Sequence, residues 1–167
     1  MPTAKKTAAT PSAARKAASA QPDATALLKA DHRRVAGLFE DFEKATTKAR
    51  KASIVADICQ ELTVHAQLEE EIFYPAVKAA LKDHELVPEA TVEHATVKDL
   101  IAAVQDQEPG DEMYDARVTV MSEYVKHHVK EEEKQMFVQA RKTDLDLRAL
   151  GAQMAARKEE LMGRATP

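Results

Sequence analysis

The chain has 167 residues, of which 31% are charged and 4% aromatic, with only 4 glycines, no tryptophan and a formal net charge of −4. That balance of helix formers points to one all-helical, water-facing domain, and the single cysteine, Cys59, excludes an intrachain disulfide and reads as a small buried hydrophobe. No apolar run approaches a membrane span or the core of a secretory signal, so no membrane partner and a cytoplasmic location are expected.

Residues 1–22 differ from the rest. They carry Lys5, Lys6, Arg15 and Lys16 and no acidic residue, among alanines, serines and threonines, and are expected to form a disordered basic tail. Without those cations the remainder has 20 Lys and Arg against 28 Asp and Glu, a net charge near −8. Such a body argues against nucleic acid as the main partner, leaving at most weak, salt-sensitive contact by the tail.

Asp23 is placed to cap a first helix running to about Ala45, followed by a turn at Thr46-Thr47-Lys48. A second helix is expected from about Arg50 to Lys82, kinked or broken by Pro75. After a connection at 83–87, Pro88 suits the first turn of a third helix to about Gln107, and Pro109-Gly110 forms a turn. The fourth helix spans about Glu112 to Lys142. Thr143 or Asp144 caps a short fifth, ending near Gly163.

A histidine pattern recurs in these helices. His65 lies 33 residues after His32, His128 lies 34 after His94, and each second histidine has a glutamate four residues on, Glu69 and Glu132. Residues at i and i+4 share a helix face, so each pair aims an imidazole and a carboxylate into one space. The flanks repeat too. Asp31-His32 matches Glu93-His94, and Val35, Leu38 and Phe39 match Val97, Leu100 and Ile101. The chain therefore reads as two helical hairpins, each supplying one lone histidine and one His-x-x-x-Glu pair.

Glutamates are abundant after both second histidines, so spacing alone would also describe a salt-bridged surface. Register decides otherwise. The apolar stripe Ile58, Leu62 continues onto His65, Glu69 and Ile72, and Met121, Val125 continues onto His128 and Glu132. A carboxylate on a buried face is costly unless paired or metal-bound, so metal is favoured, and imidazole with carboxylate suits iron-like ions. His84 and His127 fall off the converging face and read as surface residues. Tyr124, one turn before His128, reads as a group near the site or a core aromatic.

The runs His65-Ala-Gln-Leu-Glu69-Glu-Glu-Ile-Phe-Tyr74-Pro75 and His127-His128-Val-Lys-Glu131-Glu132-Glu133-Lys-Gln-Met136-Phe137, with Asp31-His32 and Glu93-His94, resemble the hemerythrin-like, or HHE cation-binding, family over about Ala24 to Arg141. The resemblance implies an all-α, up-and-down four-helix bundle over residues 23–142; residues 143–167, which it leaves out, are expected to form an additional short C-terminal helix packed on or beside the bundle. It also implies two non-haem iron ions with a bridging oxo or hydroxo group, held by His32, His65, Glu69, His94, His128 and Glu132. Two departures stand out. Oxygen carriers of the family have a further histidine where this chain has Lys98, and Val138 replaces a common proline.

With two histidines per ion and two bridging glutamates, both ions keep a vacancy. The leading expectation is a protein that binds or reacts with oxygen, peroxide or nitric oxide, in sensing or stress protection. Iron storage, donation or iron-centre repair is one alternative, and an interaction bundle stabilised by metal is another. No residue stands out as a catalytic acid, base or nucleophile, and no motif specifies an oligomer.

Overall fold

The computed structural model describes residues 22–164, so all of the expected tail except Pro22 lies outside the described residues. Helix α1 spans Ala24–Lys44, and Asp23 caps it by accepting from the Ala26 N–H at 2.9 Å. Helix α2, Lys48–Leu68, starts at Thr47, whose hydroxyl accepts from the Arg50 N–H. It runs without a break through a π-helical turn, π1 at Glu69–Phe73, into α3, Tyr74–Leu81. Lys82 ends α3 in the left-handed conformation (φ 51°), and the Asp83 carboxylate accepts from the Leu86 and Val87 N–H groups to start α4, Leu86–Gln105. Gly110 takes a positive φ of 94° in the turn before α5, Glu112–Glu131, where a Cβ would collide with the Lys48 side chain. A second π turn, π2 at Glu132–Met136, leads into α6, Phe137–Ala140. Helix α7, Leu147–Arg164, is capped by Asp146 through the Ala149 N–H, two or three residues later than the Thr143 or Asp144 that the sequence suggested.

Among the described residues there is no strand. Helix α1 packs on α2 and α4 on α5, the two hairpins close through α1–α5 and α2–α4 contacts, and α7 lies against α1, α2 and π1. The result is an all-α four-helix bundle with an added C-terminal helix. No described helix is long and apolar enough to cross a membrane. The core is in two parts. One, with Leu28, Leu68, Phe73, Val77, Phe137 and Met154, fills one end; the other, with Phe39, Ile54, Ile58, Cys59, Val118 and Met121, fills the opposite end. The six ligand candidates lie between, a polar layer with apolar clusters on both sides.

Of the two effects expected of Pro75, the break does not occur. The helix neither breaks nor depends on proline for its irregularity, because the same π turn occurs at π2, where the matching residue is Val138. The widened turn places Pro75 at the start of α3, where its missing N–H costs least. An extra residue in the turn also rotates the downstream side chains by about 100° around the helix axis. Ile72, expected on the inner face, is half-buried, while Phe73 and Tyr74 go inside.

Candidate metal centre

The structure brings all six predicted residues into one buried cluster. His32 comes from α1, His65 from α2, Glu69 from π1, His94 from α4, His128 from α5 and Glu132 from π2, none more than 7% exposed. The Nε2 atoms form two pairs, His32 with His65 at 3.2 Å and His94 with His128 at 3.3 Å. Glu69 spans both pairs, with Oε1 at 3.1 Å from His65 and Oε2 at 3.1 Å from His94. Glu132 reaches both as well, with Oε2 at 3.2 Å from His32 and 3.7 Å from His128. Two donor groups result, His32, His65, Glu69 and Glu132 on one side and Glu69, His94 and His128 on the other.

The cluster fits metal by its own chemistry. Glu69 Oε1 and Glu132 Oε2 are buried without a hydrogen-bond partner, and four imidazole nitrogens converge on them. A buried carboxylate oxygen left without a hydrogen bond is unfavourable, and a divalent or trivalent cation would satisfy both at once. The imidazole and carboxylate set suits borderline transition ions.

Each imidazole meets a carboxylate on its far side. His32 Nδ1 lies 2.8 Å from Glu133, His94 Nδ1 is 3.0 Å from Glu70 and His128 Nδ1 is 2.7 Å from Glu93, while His65 Nδ1 stands 3.6 Å from Asp31. Such partners fix which ring nitrogen carries the proton and strengthen the other as a donor. Sequence reasoning missed these roles. The signal was the repeat itself: the acid before each lone histidine serves the second histidine of its own hairpin, and the acid after each glutamate serves the lone histidine of the other hairpin.

Tyr74 was also missed. Its hydroxyl lies 3.3 Å from Glu69 Oε2, 3.1 Å from Glu132 Oε1 and 3.2 Å from His94 Nε2, so it can donate to either carboxylate or present an oxygen to a cation. It stands five residues after Glu69, a step that points inward only through a π turn. The matching residue in the second hairpin is Phe137, stacked on His32 at 6.0 Å. Tyr124, by contrast, is 45% exposed and is not a core aromatic. His84 and His127 are exposed, as expected. The Lys98 ammonium pairs with Glu70 at 2.7 Å, the carboxylate that holds His94, so it points out of the centre yet touches its support.

A cavity of about 40 Å³ opens onto all four histidines, lined mainly by Val35, Leu62, Val97, Ile101, Val125 and Val129, with Asp31, Thr63, Ala66 and Lys98 also in its wall. Electrostatics in the metal-free cluster are strained. Burial alone would lower His65, but Glu69, Asp31 and Glu132 outweigh it and raise its pKa to about 10. Burial and the neighbouring Glu69 charge raise Glu132, and burial with the two carboxylates raises Tyr74 well above the usual phenol range. His128 is raised by Glu93, Glu132 and Glu69 against its burial. Protons thus occupy places that a cation would take.

Comparison with known proteins agrees with this arrangement. The family described as hemerythrin HHE cation binding domain matches residues 23–140. A DNA nickase of Nostoc is 26% identical over 115 residues, which is 69% of this chain but 32% of that protein, so the chain spans about a third of its length. An uncharacterized protein of Mycobacterium tuberculosis is 29% identical over 144 residues, covering 82% of this chain and 86% of its own. The crystal structure of a hemerythrin HHE cation binding domain-containing protein from Mycobacterium kansasii superposes with a TM-score of 0.75 at 28% identity, over 86% of this chain and 90% of that one. With its bundle, its converging His and Glu cluster and a family match over most of its length, the chain belongs to the hemerythrin HHE cation-binding domain family.

Proposed function

We propose that the chain holds two non-haem iron ions, with His32 and His65 on one, His94 and His128 on the other, and Glu69 and Glu132 bridging both alongside an oxo or hydroxo group. The observation that carries this is the reach of Glu69, whose two oxygens each lie 3.1 Å from a histidine of a different pair. We further propose that the centre binds or reacts with oxygen, peroxide or nitric oxide, in sensing or stress protection. Iron bound there would supply the redox chemistry.

The rest is the work of this chain's residues. The cavity of about 40 Å³ has room for a ligand of two or three heavy atoms, and besides the histidines its lining is chiefly aliphatic, with Asp31, Thr63 and Lys98 also in the wall. Glu133, Glu70 and Glu93 hold three imidazoles in a single tautomer with Nε2 turned inward. Tyr74 keeps its proton, because its surroundings raise its pKa, and can donate a hydrogen bond within the cluster. The apolar clusters on both sides exclude water from the layer.

The test is metal content and reactivity. Protein purified without added metal and then loaded with iron should hold two irons per chain, and its reduced form should change its absorption rapidly on mixing with oxygen, peroxide or nitric oxide. One ion per chain would refute the paired centre. Two ions with no response to any of the three would refute the proposed reactivity.

A further inference from the structure

Three of the four carboxylate–imidazole contacts are hydrogen bonds of 2.7 to 3.0 Å. The fourth, Asp31 to His65, is long at 3.6 Å, and both facing atoms, Asp31 Oδ2 and His65 Nδ1, lack a hydrogen-bond partner. It is also the only one of the four whose carboxylate is gripped by α7. Lys158 places its ammonium 2.5 Å from Asp31 Oδ1, against a carboxylate that is 6% exposed. In the matching place of the second hairpin Glu93 holds His128 at 2.7 Å, and the neighbour on its other oxygen is the exposed His127 at 3.5 Å.

Helix α7 lies beyond residues 23–140, the span that the family matches. It is nevertheless firmly seated. Met154 is fully buried in the core, and Gly151 passes so close to the start of α1 that a Cβ there would come within 2.5 Å of the Pro22 carbonyl oxygen. Arg157 clasps Glu71 in π1 with two hydrogen bonds, of 2.8 and 3.1 Å. Lys158 is therefore delivered to Asp31 by a rigid element, not by a loose terminus.

We infer that Lys158 is a positioning residue for His65, acting through Asp31, so that the C-terminal helix makes the metal position of His32 and His65 unlike that of His94 and His128. The inference rests on the two-metal proposal. Lys158 fixes where the Asp31 carboxylate stands opposite His65 Nδ1, whereas Glu93 holds His128 without a cation from α7. Removing Lys158 leaves Asp31 buried without its cation and free to turn, and the imidazole it faces loses its fixed orientation.

The test tracks iron leaving the fully loaded chain to a chelator, with the Mössbauer spectrum recorded alongside. In the wild type the two irons should leave in two phases and give two distinguishable signals. Lys158→Met should speed one phase about ten-fold, the size typical of lost support behind a ligand, and move one signal while the other stays. Lys158→Arg should restore both. Both phases unchanged in Lys158→Met, or both changed equally, would overturn the inference. If Lys158→Met fails to load, Asp31→Asn must show the one-ion effect, and an equal effect on both ions there overturns it too. Fewer than two irons in the wild type would overturn the paired centre and this inference together, whereas two irons with unaltered phases would overturn this inference alone.

Discussion

Tyr74→Phe removes one oxygen and leaves the ring. The site accepts that shape, because the second hairpin already carries Phe137 at the matching place. What is lost is a buried hydroxyl shared among Glu69 at 3.3 Å, Glu132 at 3.1 Å and His94 at 3.2 Å. A hydrogen bond to a charged group contributes about 1.5–3 kcal/mol, and Tyr74 is too buried for water to replace it. For a chain of this size each kcal/mol moves the melting temperature by roughly 2–4 °C, so metal-free Tyr74→Phe should melt about 3–12 °C below the metal-free wild type. Matched thermal melts of metal-free proteins, with circular dichroism to confirm unchanged helix content, make the measurement. In the iron-loaded protein the same substitution should alter the absorption spectrum while two irons remain bound. A variant that melts with the wild type and shares its iron-loaded spectrum would refute the assignment of this hydroxyl to the centre.

Glu69→Ala removes a group that reaches both histidine pairs, so iron analysis should show loss of both ions, and retention of one full equivalent would count against bridging. His65, raised from 6.5 to about 10 in the metal-free fold, contributes stability that is fully present below about pH 6.5 and lost as pH rises through about 10. Metal-free protein should therefore lose melting temperature between about pH 7 and 10, a decline that the iron-loaded form should not share. Iron loading near pH 8 should release protons, and competition with protons should extend well above pH 6, where unperturbed histidines would have ceased to matter; a pH-stat titration measures both. Lys98→His removes the ammonium on Glu70 and offers a donor one turn after His94. Its reduced form should oxidise more slowly on exposure to oxygen than the wild type, and an equal or faster rate in stopped-flow absorbance would refute the role given to that position.

The helices, the cap at Asp23, the doubled hairpin and all six residues that converge in the cluster are legible in the sequence, whereas Thr47, read there as part of a turn, proves to be a cap. These features are local and periodic. A ligand that must share a face with an apolar stripe reveals itself as a break in that stripe, and a repeated break reveals itself twice. Features that depend on long-range geometry are not legible there. The π turns at Glu69–Phe73 and Glu132–Met136 take an extra residue into the coil, which is why a 3.6-residue period placed Ile72 inside and overlooked Tyr74. The carboxylates behind the histidines come from different helices, up to 101 residues away in the chain for His32 and Glu133, so no spacing within one helix identifies them. Helix α7 was legible as a helix, but its lysine lies 127 residues from Asp31, and only the packing of Met154 and Gly151 against the bundle brings that charge to the edge of the centre.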